Sequence, residues 1–139
     1  MSWKIKIVLT LIIVIVIIVG INYFLTSWLT SDITRIEIER VQSPNKLYEY
    51  ILVEINAGAT TAGDYLVYIK RQGEKITKDD REVFGVYDLR GRQIYWKDAN
   101  TLRLEYESGE IYSFRNHYII NIDGKYHDIN IEEICTTKK

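Results

Sequence analysis

From Ile7 to Leu29 the chain carries no charged residue, reading I-V-L-T-L-I-I-V-I-V-I-I-V-G-I-N-Y-F-L-T-S-W-L. No other stretch restricts the fold as severely. A helix of roughly 20 apolar residues spans the hydrocarbon core of a bilayer, about 30 Å. Isoleucine and valine are mediocre helix formers in water. In lipid the backbone must satisfy its own hydrogen bonds, and a helix is the one solution open to a single segment. The run is apolar on every face, unlike a helix that lays one stripe on a soluble core. Trp3 stands before it, and Tyr23 and Trp28 near its far end, in the pattern of side chains that sit at the two membrane interfaces.

Flanking charge sets the expected orientation. Lys4 and Lys6 precede the span; beyond it come Asp32 and then a mixture of Arg35, Glu37, Glu39 and Arg40. The positive-inside bias predicts a cytoplasmic segment over 1–6, a transmembrane helix over 7–29, a short stalk over 30–35, an extracytoplasmic domain over 36–134 and a tail over 135–139. The expected location is the cell membrane, with the lipid bilayer as first partner and Trp3, Lys4, Lys6, Tyr23 and Trp28 as interface residues. A cleavable signal peptide is the competing reading, because Val8 to Val19 alone would serve as its apolar region. The apolar run continues past Gly20, however, and no A-x-A-like site follows, so an uncleaved anchor is expected.

The remainder reads as strands. The 139-residue chain has room for one domain besides the anchor. Its aromatic residues are mostly tyrosine, 11 of them beside 3 Phe and 3 Trp, and tyrosine suits pleated, half-buried surfaces. Short apolar runs alternate with turn signals, predicting a mainly β domain of about eight short strands: an antiparallel meander, sandwich or small open barrel after the one transmembrane α-helix. Leu47 to Asn56 is apolar on both faces and is expected to be a central, doubly covered strand. Thr101 to Glu107 alternates cleanly, with Leu102, Leu104 and Tyr106 inward. Turns are expected at Asp88–Gly91 and Ser108–Glu110. Asp123-Gly124-Lys125 predicts a tight hairpin. Residues 71–82 read as a solvated, charge-dense loop, and Glu132 to Lys139 as a frayed tail.

Three local patterns occur in order: Ser43-Pro44-Asn45-Lys46-x-Tyr48, then Gly58-Ala59-Thr60-Thr61, then Trp96-x-Asp98-x-Asn100-Thr101-Leu102. Together, over roughly Ile36 to Tyr106, they resemble a family of small single-pass membrane-anchored proteins of Gram-positive bacteria, itself a domain of unknown function. That family has Ser-Pro-Asp-Gly-Lys-Tyr at the first pattern, where this chain has Asn45 in place of Asp. The resemblance implies the same architecture and no activity. The first and last patterns are also similar to β-propeller blade motifs, but no repeat recurs at about 40–45 residues, so shared hairpin chemistry accounts for them.

Charge and chemistry narrow the function classes. A net charge of −1 offers no stripe of cations for a nucleic-acid backbone. The single cysteine, Cys135, excludes an internal disulfide framework. Gly58, Ala59, Thr60 and Thr61 are the expected ligand- or partner-binding loop, since small residues let another surface approach the backbone. The loop lacks the lysine and following helix of a phosphate cradle. His117 and His127, flanking a hairpin turn, are weak zinc candidates, and Asp79, Asp80 and Glu82 read as solvated charges. No catalytic residue, metal site or cofactor is predicted. The expectation is a non-enzymatic binding or accessory module of the cell envelope, engaging another envelope protein or a wall component. Protection of the cell against a membrane-acting toxin, and an enzyme with an unrecognised site, are the alternatives.

Overall fold

The computed structural model describes residues 2–29, 34–56 and 63–137, with side chains in the helix described as far as residue 24. The chain divides into two units, Met1–Asp32 and Ile33–Lys139.

The first unit is one helix, α1 (Trp3–Leu29). Over Trp3–Phe24 it is long and apolar enough to cross a membrane, and none of that stretch is buried by the rest of the protein. The polar side chains within it turn back on the helix. Thr10 Oγ1 donates to the Lys6 carbonyl at 2.9 Å and Asn22 Nδ2 to the Ile18 carbonyl at 3.0 Å. Such i−4 bonds satisfy a hydroxyl or amide without water. Trp3 and Tyr23, 78% and 79% exposed, bracket the described span, and Lys4 and Lys6 lie exposed in its first turn. The Trp28 side chain lies outside the described residues.

The second unit is a β domain of nine strands: β1 (Thr34–Gln42), β2 (Tyr48–Asn56), β3 (Asp64–Arg71), β4 (Phe84–Arg90), β5 (Gln93–Asp98), β6 (Thr101–Tyr106), β7 (Ser108–Phe114), β8 (His117–Ile122) and β9 (Lys125–Cys135). They form a five-stranded sheet in the order β1-β2-β3-β4-β7 and a four-stranded sheet in the order β5-β6-β9-β8. One core is shared between them. Tyr48, Tyr50, Leu52, Val67, Phe84 and Val86 of the first sheet bury against Leu102, Leu104, Tyr106, Ile129 and Ile131 of the second. Of the three expected architectures, a two-sheet sandwich is the one formed; the sheets do not close into a barrel.

Period-2 alternation explains most of this burial. In β6 it buries Leu102, Leu104 and Tyr106 and leaves Arg103 and Glu105 partly exposed, as expected. β2 is covered on both faces from Tyr48 to Val53. Its even-numbered residues face the shared core, while Ile51 and Val53 join Leu66 and Tyr68 in a second, smaller cluster on the outer face of the first sheet. The Asp123-Gly124 hairpin has φ of +51° and +82°, the left-handed pair of a two-residue turn.

Several boundaries differ from the expected ones. β4 continues through Asp88 by way of a register shift, so that the chain leaves the first sheet for the second at Gly91, whose φ is +62°. Ser108 to Glu110, expected as a turn, begin β7, with Ser108 opposite Arg90. β1 begins at Thr34, with Thr34 and Arg35 already paired to Asn56 and Ile55. The antiparallel pattern has one exception: β6 and β9 run parallel, from Thr101 opposite Asn130 to Tyr106 opposite Cys135. Glu132 to Cys135 are therefore the end of an interior strand rather than a frayed tail.

Candidate functional site

The outer face of the first sheet carries the features that secondary structure does not use up. Its floor is the cluster of Ile51, Val53, Leu66 and Tyr68, flanked by Ile55. The 71–82 stretch, read from sequence as a solvated loop, gives its first residue to β3; the rest, 72–82, crosses this face and packs Ile76 onto the cluster. Ile76 is the lone apolar residue in a run of charges, and that isolation is the sequence signal that marks its contact.

Two sets of polar contacts hold the segment down. Glu49 is buried and accepts from Arg40 Nη1 and from the Gly73 amide at 3.0 Å. Arg40 also donates to Glu37, at 2.8 and 2.9 Å, and to the Glu74 carbonyl at 3.0 Å. At the other end Lys70 Nζ lies 2.7 Å from Asp80 Oδ1, while Asp80 Oδ2 accepts from the Thr77 amide at 2.6 Å and its hydroxyl at 3.0 Å. Burial would raise the Asp80 carboxyl, but Lys70 and the two Thr77 donors outweigh it and hold the group below the ordinary carboxylate range. Asp80, expected as a solvated charge, is thus a staple.

Between the segment and β1 lies a groove of about 390 Å³ lined by Arg35, Glu37, Arg40, Val53, Lys75 and Ile76. A second hollow of about 600 Å³, lined by Arg35, Ile76, Thr77 and Lys78, shares Arg35 and Ile76 with it. Arg40 is matched by Glu37 and Glu49 and Lys70 by Asp80. Among the described residues, Arg35, Lys75 and Lys78 have no ion pair.

Across the same face, Tyr87 and Tyr112 stack with ring centroids 4.6 Å apart. Both are nearly half exposed. Tyr112 Oη donates to Asp64 Oδ1 at 2.5 Å, and burial and that carboxylate push its hydroxyl well above the ordinary tyrosine value. It therefore stays a neutral donor. Gly85 lies beneath the ring; a Cβ there would come within 2.7 Å of Tyr112.

Gly58, Ala59, Thr60 and Thr61 lie outside the described residues. Their flanks are described: Asn56 ends β2 opposite Thr34, and Asp64 begins β3 opposite Tyr87. β2 therefore ends and β3 begins at the same end of the sheet as Arg35 and Tyr87.

The two remaining motif patterns meet elsewhere. Tyr48 Oη lies 2.5 Å from Asn100 Oδ1, contacts the Ala99 carbonyl and accepts from Asn45 Nδ2 at 2.9 Å. Trp96 packs its ring 5.4 Å from that of Tyr48 and donates Nε1 to the Val41 carbonyl at 3.1 Å. The Ser-Pro-Asn-Lys turn and the Trp-x-Asp-x-Asn turn are thus two halves of one clasp between the sheets, a structural role.

The histidines do not converge. His127 pairs with Ile120 and His117 with Asn130. His117 Nδ1 lies 3.8 Å from Asp128, and His127 packs edge-on to Tyr48. Among the described residues no group of three or more His, Cys, Asp or Glu is arranged to hold a metal ion.

No protein-family model, characterised protein or solved structure matches this chain.

Proposed function

We propose that the protein is a non-enzymatic binding module of the cell envelope. α1 holds it in the membrane with the N-terminus inside and the β domain outside. It engages another envelope protein or a wall component through the outer face of the first sheet and the 57–62 loop. The observation that carries this reading is the half-open character of that face. Its apolar floor is only partly roofed by 72–82, and two stacked tyrosines stand exposed beside it. Tyrosine gives large contact area at low entropic cost and is enriched where proteins dock. The resemblance to single-pass anchored proteins supports the same arrangement.

Site-specific photo-cross-linking tests it. A photoreactive residue at Tyr87, on the outer face, should give a discrete cross-linked species in native membranes. The same residue at Tyr126, 73% exposed on the β8–β9 hairpin, should not. No product from Tyr87, or equal products from both positions, would contradict the reading.

A further inference from the structure

Three cations without ion pairs line two hollows that share Arg35 and Ile76, above an apolar floor. We infer that these two adjoining hollows, lined by Arg35, Lys75, Ile76 and Lys78, bind the phosphodiester headgroup of an anionic phospholipid. This inference rests on the module being membrane-held and adds a ligand to it.

Local charge is the first argument. Among the described residues of the β domain Lys46, Arg81, Arg92, Arg115 and Lys125 also lack ion pairs, but Arg35, Lys75 and Lys78 are the ones that line the hollows around Ile76. Arg40 and Lys70 are already neutralised by Glu37, Glu49 and Asp80. Arg35 lines both hollows, Lys75 the first, beside the Arg40–Glu37 pair, and Lys78 the second, an arrangement a phosphate would complement. An exposed lysine usually needs only water. Here two lysines flank Ile76 closely in sequence, and Ile76 is pinned to the sheet, so their stems leave a fixed point. Arg35 comes from the opposite wall, on β1.

The apolar floor decides which phosphate compound fits. Val53 and Ile76 line the groove beside the cations. A free inorganic anion gains nothing from that surface, whereas a lipid places its glycerol and first methylenes against it. Connectivity makes the same choice. Arg35 follows the last helical residue, Leu29, by only a few positions, so no long tether separates the groove's first cation from the span. Each cation held near an anionic lipid surface contributes about 1 kcal/mol to the attraction, and an outer leaflet containing phosphatidylglycerol presents such a surface.

The test uses the full chain in nanodiscs, with isoleucine methyl groups labelled and the Ile76 resonance assigned by Ile76→Val. Discs of phosphatidylcholine alone are compared with discs that also contain phosphatidylglycerol, and inorganic phosphate is added to the first set in a separate arm. The expected result is a shift of the Ile76 methyl in the phosphatidylglycerol discs only. Neutralising one cation, as in Lys78→Gln, should raise the phosphatidylglycerol fraction needed for half the shift by about fivefold. Arg35→Gln, Lys75→Gln and Lys78→Gln together should abolish it. Lys125→Gln, on the β8–β9 hairpin, should leave it unchanged. If the triple variant loses its native spectrum in phosphatidylcholine discs, the single variants decide. An Ile76 methyl indifferent to phosphatidylglycerol overturns the inference. An equal shift with inorganic phosphate overturns it too, showing a soluble-anion site. Neither outcome touches cross-linking from Tyr87, so failure here is separable from failure of the binding-module reading.

Discussion

The hydroxyl of Tyr48 lies 2.5 Å from Oδ1 of Asn100, joining a residue at the start of β2 in one sheet to the β5–β6 turn of the other. The same oxygen accepts from Asn45 and contacts the Ala99 carbonyl, so one phenol ties together two turns far apart in sequence. The Tyr48 ring is fully buried against Trp96. Tyr48→Phe keeps the ring and leaves Asn45, Ala99 and Asn100 short of a partner. Asn45 and Ala99 are half-buried and Asn100 is exposed, so water takes part of the hydroxyl's place and the expected loss is about 1 kcal/mol, that of a typical intramolecular hydrogen bond. Urea denaturation of the full chain in detergent micelles should show a lower midpoint with an unchanged slope.

Glu49→Ala should loosen the 72–82 segment. The buried carboxylate is the common acceptor for Arg40 and the Gly73 amide. Breaking a fully buried ion pair costs about 3–5 kcal/mol, and the partial exposure of Arg40 brings the expected loss to about 2–3 kcal/mol. Hydrogen exchange should accelerate first at Gly73.

Acid should release the other end of the segment. The Asp80 carboxyl is held below the ordinary range, so the folded state binds its proton less readily than the unfolded chain does. Its stabilising contribution is complete above the unfolded value, about 3.9, and is lost as pH falls through the lower folded value. Protection of the Thr77 amide, which donates to Asp80, should follow that course; in Asp80→Asn the acid step should disappear.

Removing residues 132–139 should unfold the second sheet. Glu132 to Cys135 pair with Arg103 to Tyr106, and Glu132 also meets Arg103 at 2.6 Å and Lys97 at 3.2 Å. Without them β6 loses the partner on one side along two thirds of its length, Arg103 to Tyr106. The truncated chain should lose cooperative thermal unfolding, whereas removing residues 137–139 should not.

How much of this was legible depends on the range of the interaction concerned. The alternation in Thr101–Glu107, the double coverage of Leu47–Asn56 and the Asp123-Gly124 turn are local, and the sequence carries them openly. The apolar run of α1 is local as well. The parallel pairing of β6 and β9 was not legible, because a parallel partner is remote in sequence and has the same alternation as an antiparallel one. Ser108–Glu110 have turn-like composition, yet Gly109 lies in β7 against Val86, where an added Cβ would come within 2.6 Å of its side chain. There glycine serves close approach, not reversal. At the candidate site, composition identified 71–82 as charged but not that Ile76 anchors it or that Asp80 is taken by Lys70. Both facts depend on β2 and β3 lying beneath.

Cys135 offers the most direct test of the central claim, that α1 crosses the membrane once and leaves the β domain outside. It is the single cysteine in the chain, and its thiol is exposed at the end of β9. The hydrogen bond with Thr137 holds that thiol below its ordinary value, which favours the reactive thiolate. Intact cells expressing the full chain are treated with a membrane-impermeant maleimide, with Cys135→Ser as the blank. The account predicts labelling of intact cells equal to that after lysis; labelling that appears only after lysis would contradict it.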